Sequence, residues 1–132
     1  KNPATDVLLQ DIHDGNSYLI ETDSRLCGVF SLLIGDDPTY AVIRNGHWLN
    51  DLPYGTIHRL ASDGTTPGIF RVCLSYCTAV IPNLRADTHA DNHIMQHLLT
   101  ANGFQRCGII HVEDGSPRIA FQRSASAGET AS

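Results

Sequence analysis

Apolar and polar positions change their period several times along the chain, and each change marks an element. Val7, Leu8, Leu9 and Ile12 within Thr5–Asp14 fit one side of a short amphipathic helix that stops near Gly15. Ser17–Glu21 reads as a strand, and Leu26–Ile34 is a long apolar run suited to a central strand buried on both faces. Gly35-Asp36-Asp37-Pro38 breaks that run, Tyr40–Ile43 extends the meander, and Asn45–Pro53 is a loop carrying the single tryptophan, Trp48. Tyr54–Ser62 is the next strand. Asp63-Gly64-Thr65-Thr66-Pro67-Gly68 then turns into a helix over Gly68–Ala79, with Thr66 as its cap and Pro67 at the first helical position. That helix is apolar almost all round, which predicts burial.

The stretch Asn83–Phe104 is the strongest unit. A short strand, Leu84–Thr88, runs into a helix capped by Asp91, whose carboxylate can accept from the free amides of the first turn. Ile94, Met95, Leu98 and Leu99 fall on one stripe of it, and Asn102-Gly103 ends it in the left-handed conformation that glycine takes freely. Phe104–Val112 and Pro117–Arg123 form a hairpin around Glu113-Asp114-Gly115-Ser116, and Ser124–Ser132 is a small, polar, disordered tail. The order α-β-β-β-α-β-α-β-β predicts one α/β domain over residues 1–123, a mixed sheet with helices packed on both faces.

Composition narrows the function classes. At 132 residues there is one core's worth of chain, and a net charge of −5 with scattered basic residues argues against a nucleic-acid groove or an anionic membrane surface. No run reaches membrane-spanning length, and no secretory pattern appears. Cys27, Cys73, Cys77 and Cys107 have neither CxxC nor zinc-ribbon spacing, which points to a reduced, cytoplasmic setting. Monomer and homodimer both remain open.

Two places carry candidate chemistry. At Leu60–Phe70 a strand ends, a glycine-containing loop turns and a helix begins, so that converging amides and the helix dipole make a phosphate-sized anion site. Asp87, His89, Asp91, His93 and His97 form a ligand-type cluster, with His93 and His97 at i, i+4. Helix phase sets those two histidines with Gln96 and Thr100 on the solvent stripe, which weighs against a metal, and the expectation is none. Arg85 and Asp87 share a strand face and read as a structural ion pair.

Read together, Ile57–Phe70 and Asn83–Phe104 resemble the acetyl-CoA-binding half of the GCN5-related N-acetyltransferases, the GNAT family. Thr65–Phe70 occupies the place of the family's Q/R-x-x-G-x-G/A loop. Asn92, Met95, Leu98, Leu99, Gly103 and Phe104 fall in register with its N-x-x-A-x-x-L-Y-x-x-x-G-F helix. The closing hairpin also agrees, and the resemblance covers about residues 3–123. It differs at Thr65 (Gln or Arg in the family), at Phe70 (Gly or Ala) and at Leu99, which replaces a tyrosine that often protonates the departing thiolate. Pro3–Asp14 matches the family's second helix, so its first strand and first helix are missing from this chain.

The resemblance implies a GNAT-like acyl-CoA N-acyltransferase fold and an N-acetyltransferase that moves the acetyl group of acetyl-CoA onto a primary amine by direct attack. The backbone of Leu60, Ala61 and Ser62 would pair with the pantetheine arm. Gly64, Thr65, Thr66 and Gly68, with the amides of Ile69 and Phe70, would hold the pyrophosphate, and Asn92 and Met95 would contact the cofactor. The Leu60 amide would stabilise the oxyanion. Strand alternation puts His58 on the face of Thr56 and Leu60, where it can serve as general base, and Trp48 and Tyr54 can line the pocket of a small-molecule or peptide amine. The alternatives are a non-catalytic acyl-CoA-binding or regulatory module and, from the histidine cluster, a metal-dependent hydrolase.

Overall fold

The computed structural model of the chain describes residues 7–11, by their backbone, and 16–124. The expected tail over residues 125–132 lies outside the described residues. So do the ends of the helix expected over Thr5–Asp14.

Seven strands form one sheet: β1 (Val7–Asp11), β2 (Ser17–Thr22), β3 (Arg25–Ile34), β4 (Gly55–Ser62), β5 (Leu84–Thr88), β6 (Gln105–His111) and β7 (Pro117–Arg123). Their order is β1-β2-β3-β4-β5-β7-β6. Helix α1 (Ile69–Val80) joins β4 to β5, and α2 (His93–Ala101) joins β5 to β6. Among the described residues only β4 and β5 pair in parallel; β7 inserts between β5 and β6, so the second crossover yields strands of one direction that are not neighbours. Among the described residues no helix is long and apolar enough to cross a membrane.

Two expectations at the start of the sheet are corrected. Val7–Asp11 is a strand, antiparallel to β2 from Val7↔Thr22 to Asp11↔Tyr18, where a helix was expected. Its backbone groups find partners on a neighbouring strand, a long-range gain that outweighs a weak helical pattern. Tyr40–Ile43 does not extend the meander. Pro38–Tyr40 is a 3-10 turn whose Asp37 cap accepts from the Thr39 amide, and Arg44 makes an isolated bridge to Ile109.

Both helices lie on one face of the sheet, so the expected covering of both faces by helices is not seen among the described residues. Ile69, Phe70, Cys73, Leu74 and Cys77 of α1 pack with Phe30, Leu32 and Ile57, while Leu99 of α2 joins the same core beside Leu84, Ala86 and Phe121. The Phe70 and Phe104 rings meet at 6.3 Å between centroids and bind the two helices' ends together. Burying each such side chain is worth roughly 1.5–3 kcal/mol. Arg71 and Ser75 are exposed, so α1 is amphipathic and not apolar all round.

The opposite face is covered by the 36–53 loop. Tyr40, Tyr54, Ile110 and Ala120 form a second small core there with Trp48 packed against it. A buried amide network fastens the loop. Gln122 donates to Asn83 Oδ1 at 2.8 Å and accepts from the Leu49 amide at 2.9 Å, and Asn83 donates to Asn50 Oδ1 at 3.0 Å. Gln122 is wholly buried, and this full set of partners is what makes its burial affordable.

Two irregularities of β4 open the sheet. It pairs with β5 at Gly55↔Leu84 and Thr56↔Arg85 alone, after which the strands part. The β5-facing backbone of Ile57–Ser62 therefore has no strand partner in that direction. Against β3, Ser31 pairs with His58 and Val29 with Ala61, so Phe30 alone stands opposite both Arg59 and Leu60. This is a bulge, and Arg59 holds it with φ of 54°, a conformation that costs a non-glycine residue about 1 kcal/mol or more.

Candidate functional site

Where β4 leaves β5, the helix-bearing face opens into a cleft of about 520 Å³ between α1 and α2. Leu60, Ala61, Ser62, Thr66, Gly68, Ile69, Phe70, Asn92 and Met95 all line it. Of the residues expected around a cofactor, Gly64 and Thr65 are not among its lining. Four others are, unforeseen from the sequence: Arg71, Ile94, Leu98 and Asn102. Ile94 is 77% exposed and belongs to the cleft wall, not the core stripe assigned to it.

The turn into α1 is organised by one carboxylate. Asp63 accepts from the amides of Thr65 (3.0 Å) and Thr66 (2.9 Å), from the Thr66 hydroxyl (2.8 Å), and from Arg25 across the loop at 2.8 Å. The Thr66 amide, then that of Thr65, hold its carboxyl well below the usual carboxylate range. Two corrections follow. Thr66 is not the helix cap; Gly68 occupies that position at φ 79°, with no side-chain cap. The Thr65 and Thr66 amides are committed to Asp63, which leaves Gly68, Ile69 and Phe70 to present amides at the start of α1, where the helix dipole favours an anion. Arg71, exposed one position further on, supplies positive charge to the same wall.

On α2 the cap is Asn92, whose Oδ1 accepts from the Met95 amide at 3.0 Å; Asp91, the expected cap, is one residue early and exposed. Leu99 is 1% exposed and points into the core, whereas its neighbour Leu98 lines the cleft.

His58 lies on the other side of the sheet from the cleft. The bulge at Arg59 adds one residue to the alternation, so Leu60 packs against the helix-side core while His58 stays on the face of Thr56 and Tyr54. The expectation that His58 and Leu60 share a face is thus corrected. His58 Nε2 stands 3.2 Å from Asp37 Oδ2, and Asp37 is itself fixed, its Oδ1 accepting from the amide and hydroxyl of Thr39 and its own amide donating to the Tyr54 hydroxyl. Sequence spacing carries no signal for a partnership across 21 residues.

The same face holds a second cavity, of about 420 Å³, lined by Asp36, Asp37, Tyr40, Trp48, Asp51, Tyr54 and Arg85 among others. Trp48 and Tyr54, named from the sequence, both meet there. Arg85 and Asp87 are not an ion pair. The Arg85 guanidinium carbon sits 4.0 Å from the Trp48 ring centroid and 3.9 Å from that of Tyr54, and Asp87 accepts from the Tyr40 hydroxyl at 2.6 Å. Burial first, then the Asp87 charge, raise the Tyr40 hydroxyl well above its ordinary pKa.

Among the described residues no three histidine, cysteine or carboxylate side chains come together as a metal site. Asp87 is engaged by Tyr40, while His89 turns to Asp91, accepting from its amide at 3.1 Å. His93 and His97 face solvent. All four cysteines are buried and free.

No protein-family profile matches the chain, and neither does any curated sequence. Solved structures do. An acetyltransferase of the GNAT family from Streptococcus agalactiae 2603 is 30% identical over 86% of this chain and 67% of its own, with a TM-score of 0.76. One from Bacillus cereus ATCC 10987 is 20% identical over 84% and 71%, at 0.56. Arabidopsis thaliana Naa50, solved with the bisubstrate analogue CoA-Ac-MVNAL, is 12% identical over 82% and 72%, also at 0.56.

Proposed function

The chain belongs to the GNAT family of acetyltransferases, and from that premise we propose that it transfers the acetyl group of acetyl-CoA to a primary amine by direct attack. The observation that carries this reading is the parting of β4 from β5 beyond Thr56, which leaves a strand edge open beside a cleft walled by α1 and α2. An extended pantetheine arm fits such an edge as an added strand would, along Leu60–Ser62. The amides of Gly68, Ile69 and Phe70, with Arg71, suit its pyrophosphate, and Asn92 and Met95 suit the chain between.

Acetyl-CoA brings an activated acyl group. The amine nitrogen forms the new bond to the thioester carbonyl carbon, the carbonyl oxygen takes negative charge beside the Leu60 amide, and collapse breaks the carbon–sulfur bond. The amine must lose a proton, and His58 held by Asp37 is the base on the acceptor side. Most of the rate comes from holding two reactants in one orientation.

Thermal shift with acetyl-CoA tests binding, since a ligand of the native state raises its stability. Thiol release over a panel of amines, small molecules and peptides alike, tests turnover. Binding without turnover on any amine points instead to an acyl-CoA-binding module, a reading favoured by Leu99, which leaves the thiolate without the family's tyrosine. The four free cysteines suit a cytoplasmic enzyme.

A further inference from the structure

Two buried side-chain polar atoms lack a hydrogen-bond partner among the described residues, Thr56 Oγ1 and Arg85 Nε. They belong to register partners, the last paired rung before β4 and β5 separate. Both side chains stand on the face away from the helices, and Arg85 lines the 420 Å³ cavity there. Arg85 is 4% exposed, and no carboxylate lies within ion-pair distance of it among the described residues. Among the described residues its guanidinium makes one hydrogen bond, donating from Nη2 to the Asn50 carbonyl at 2.8 Å. The rings of Trp48 and Tyr54 cover the guanidinium, so a further partner must approach its edge.

Burial of the Arg85 guanidinium is costly while the carboxylates that share its cavity, Asp51 among them, stand beyond ion-pair distance and none meets it directly. A carboxylate approaching edge-on meets a guanidinium fork with two parallel hydrogen bonds, and Arg85 is the cation in the lining of this cavity. Asp36, Asp37 and Asp51 line the same cavity and provide the opposite sign. The cavity therefore presents positive charge at its floor and negative charge around it.

Resting on the acetyltransferase reading, we propose that this cavity is the acceptor site and that the acceptor is an amino acid, its carboxylate held by Arg85 and its ammonium directed toward Asp37, the partner of His58.

The test is calorimetric titration of coenzyme A-loaded protein with each common L-amino acid and with its methyl ester, which keeps the amine and loses the negative charge. At least one acid should bind about tenfold or more tightly than its ester, the scale of one charge-assisted pair. In Arg85→Lys, which keeps the charge and loses the planar fork, that preference should fall to about threefold or less while coenzyme A affinity is unchanged. Should Arg85→Lys fail to fold, the acid-against-ester comparison in the unaltered protein decides alone. Esters that bind as well as the acids, or a panel in which no acid binds, overturn the proposal. Failure of coenzyme A itself to bind is a different result, and sinks the transferase reading instead.

Discussion

Asp37 Oδ2 lies 3.2 Å from His58 Nε2, and Asp37 is anchored by Thr39 and Tyr54 on its other side. An imidazole oriented by a fixed carboxylate has one nitrogen committed and the other free for a proton. His58→Ala should lower thiol release from acetyl-CoA at pH 7 by about 10²-fold, the usual contribution of a positioned base. Asp37→Asn should keep coenzyme A binding and lower the rate less. An unchanged rate in His58→Ala removes His58 from the chemistry.

That pair was half legible. His58 is singled out by its place in an apolar strand, but alternation alone sets it beside Leu60. The bulge at Arg59 cancels that phase, and no local pattern announces a bulge whose residue at positive φ is arginine. The carboxylate that binds two loop amides could have been read, since Asp63-Gly-Thr-Thr is the spacing of an Asx turn. Val7–Asp11 is different. Its apolar spacing satisfies helix and strand alike, and pairing with β2, a tertiary fact, decides. The walls of the cleft were legible because they follow from α1, α2 and the end of β4, elements with strong local signals. The floor of the cavity around Arg85 was not, because Arg85 and Asp87 read as partners until the rings of Trp48 and Tyr54 are placed.

Asp63 gives a pH prediction whose sign is fixed. Its folded-state pKa is depressed, chiefly by the Thr66 and Thr65 amides, so its stabilising effect is fully present above the unfolded value of about 3.9 and is lost as pH falls below it. The gap in urea midpoint between the natural protein and Asp63→Ala should stay flat from pH 7 to about 4 and close progressively in more acid solution. A gap that closes between pH 7 and 5 contradicts the assignment.

Cys73 and Cys77 face each other one helical turn apart with no exposure. The hydrogen bond to Cys77, reinforced by burial, pushes the Cys73 thiol far up, so no thiolate exists to react. Maleimide should leave both unlabelled in the native protein and modify all four cysteines in urea. Cys73→Ser should destabilise by about 1–3 kcal/mol by placing a hydroxyl in an apolar core.

The cavity around Arg85 depends on the 36–53 loop, and the loop is pinned at Gly46. A Cβ there would stand 1.9 Å from the Cys107 carbonyl oxygen, and that atom belongs to a strand backbone that cannot step aside. Gly46 also holds φ at 156°, outside what side chains adopt easily. Gly46→Ala must therefore detach the loop from β6 or distort both, at a cost of about 2 kcal/mol or more. Loss of the Arg44–Ile109 bridge would free Trp48 from its place over Arg85, while α1, α2 and the cleft between them rest on the opposite core. Coenzyme A affinity should survive in this variant at temperatures where it stays folded, and amine turnover should fall. Equal losses of both would mean that the two faces of the sheet are not separable as cofactor and acceptor sides.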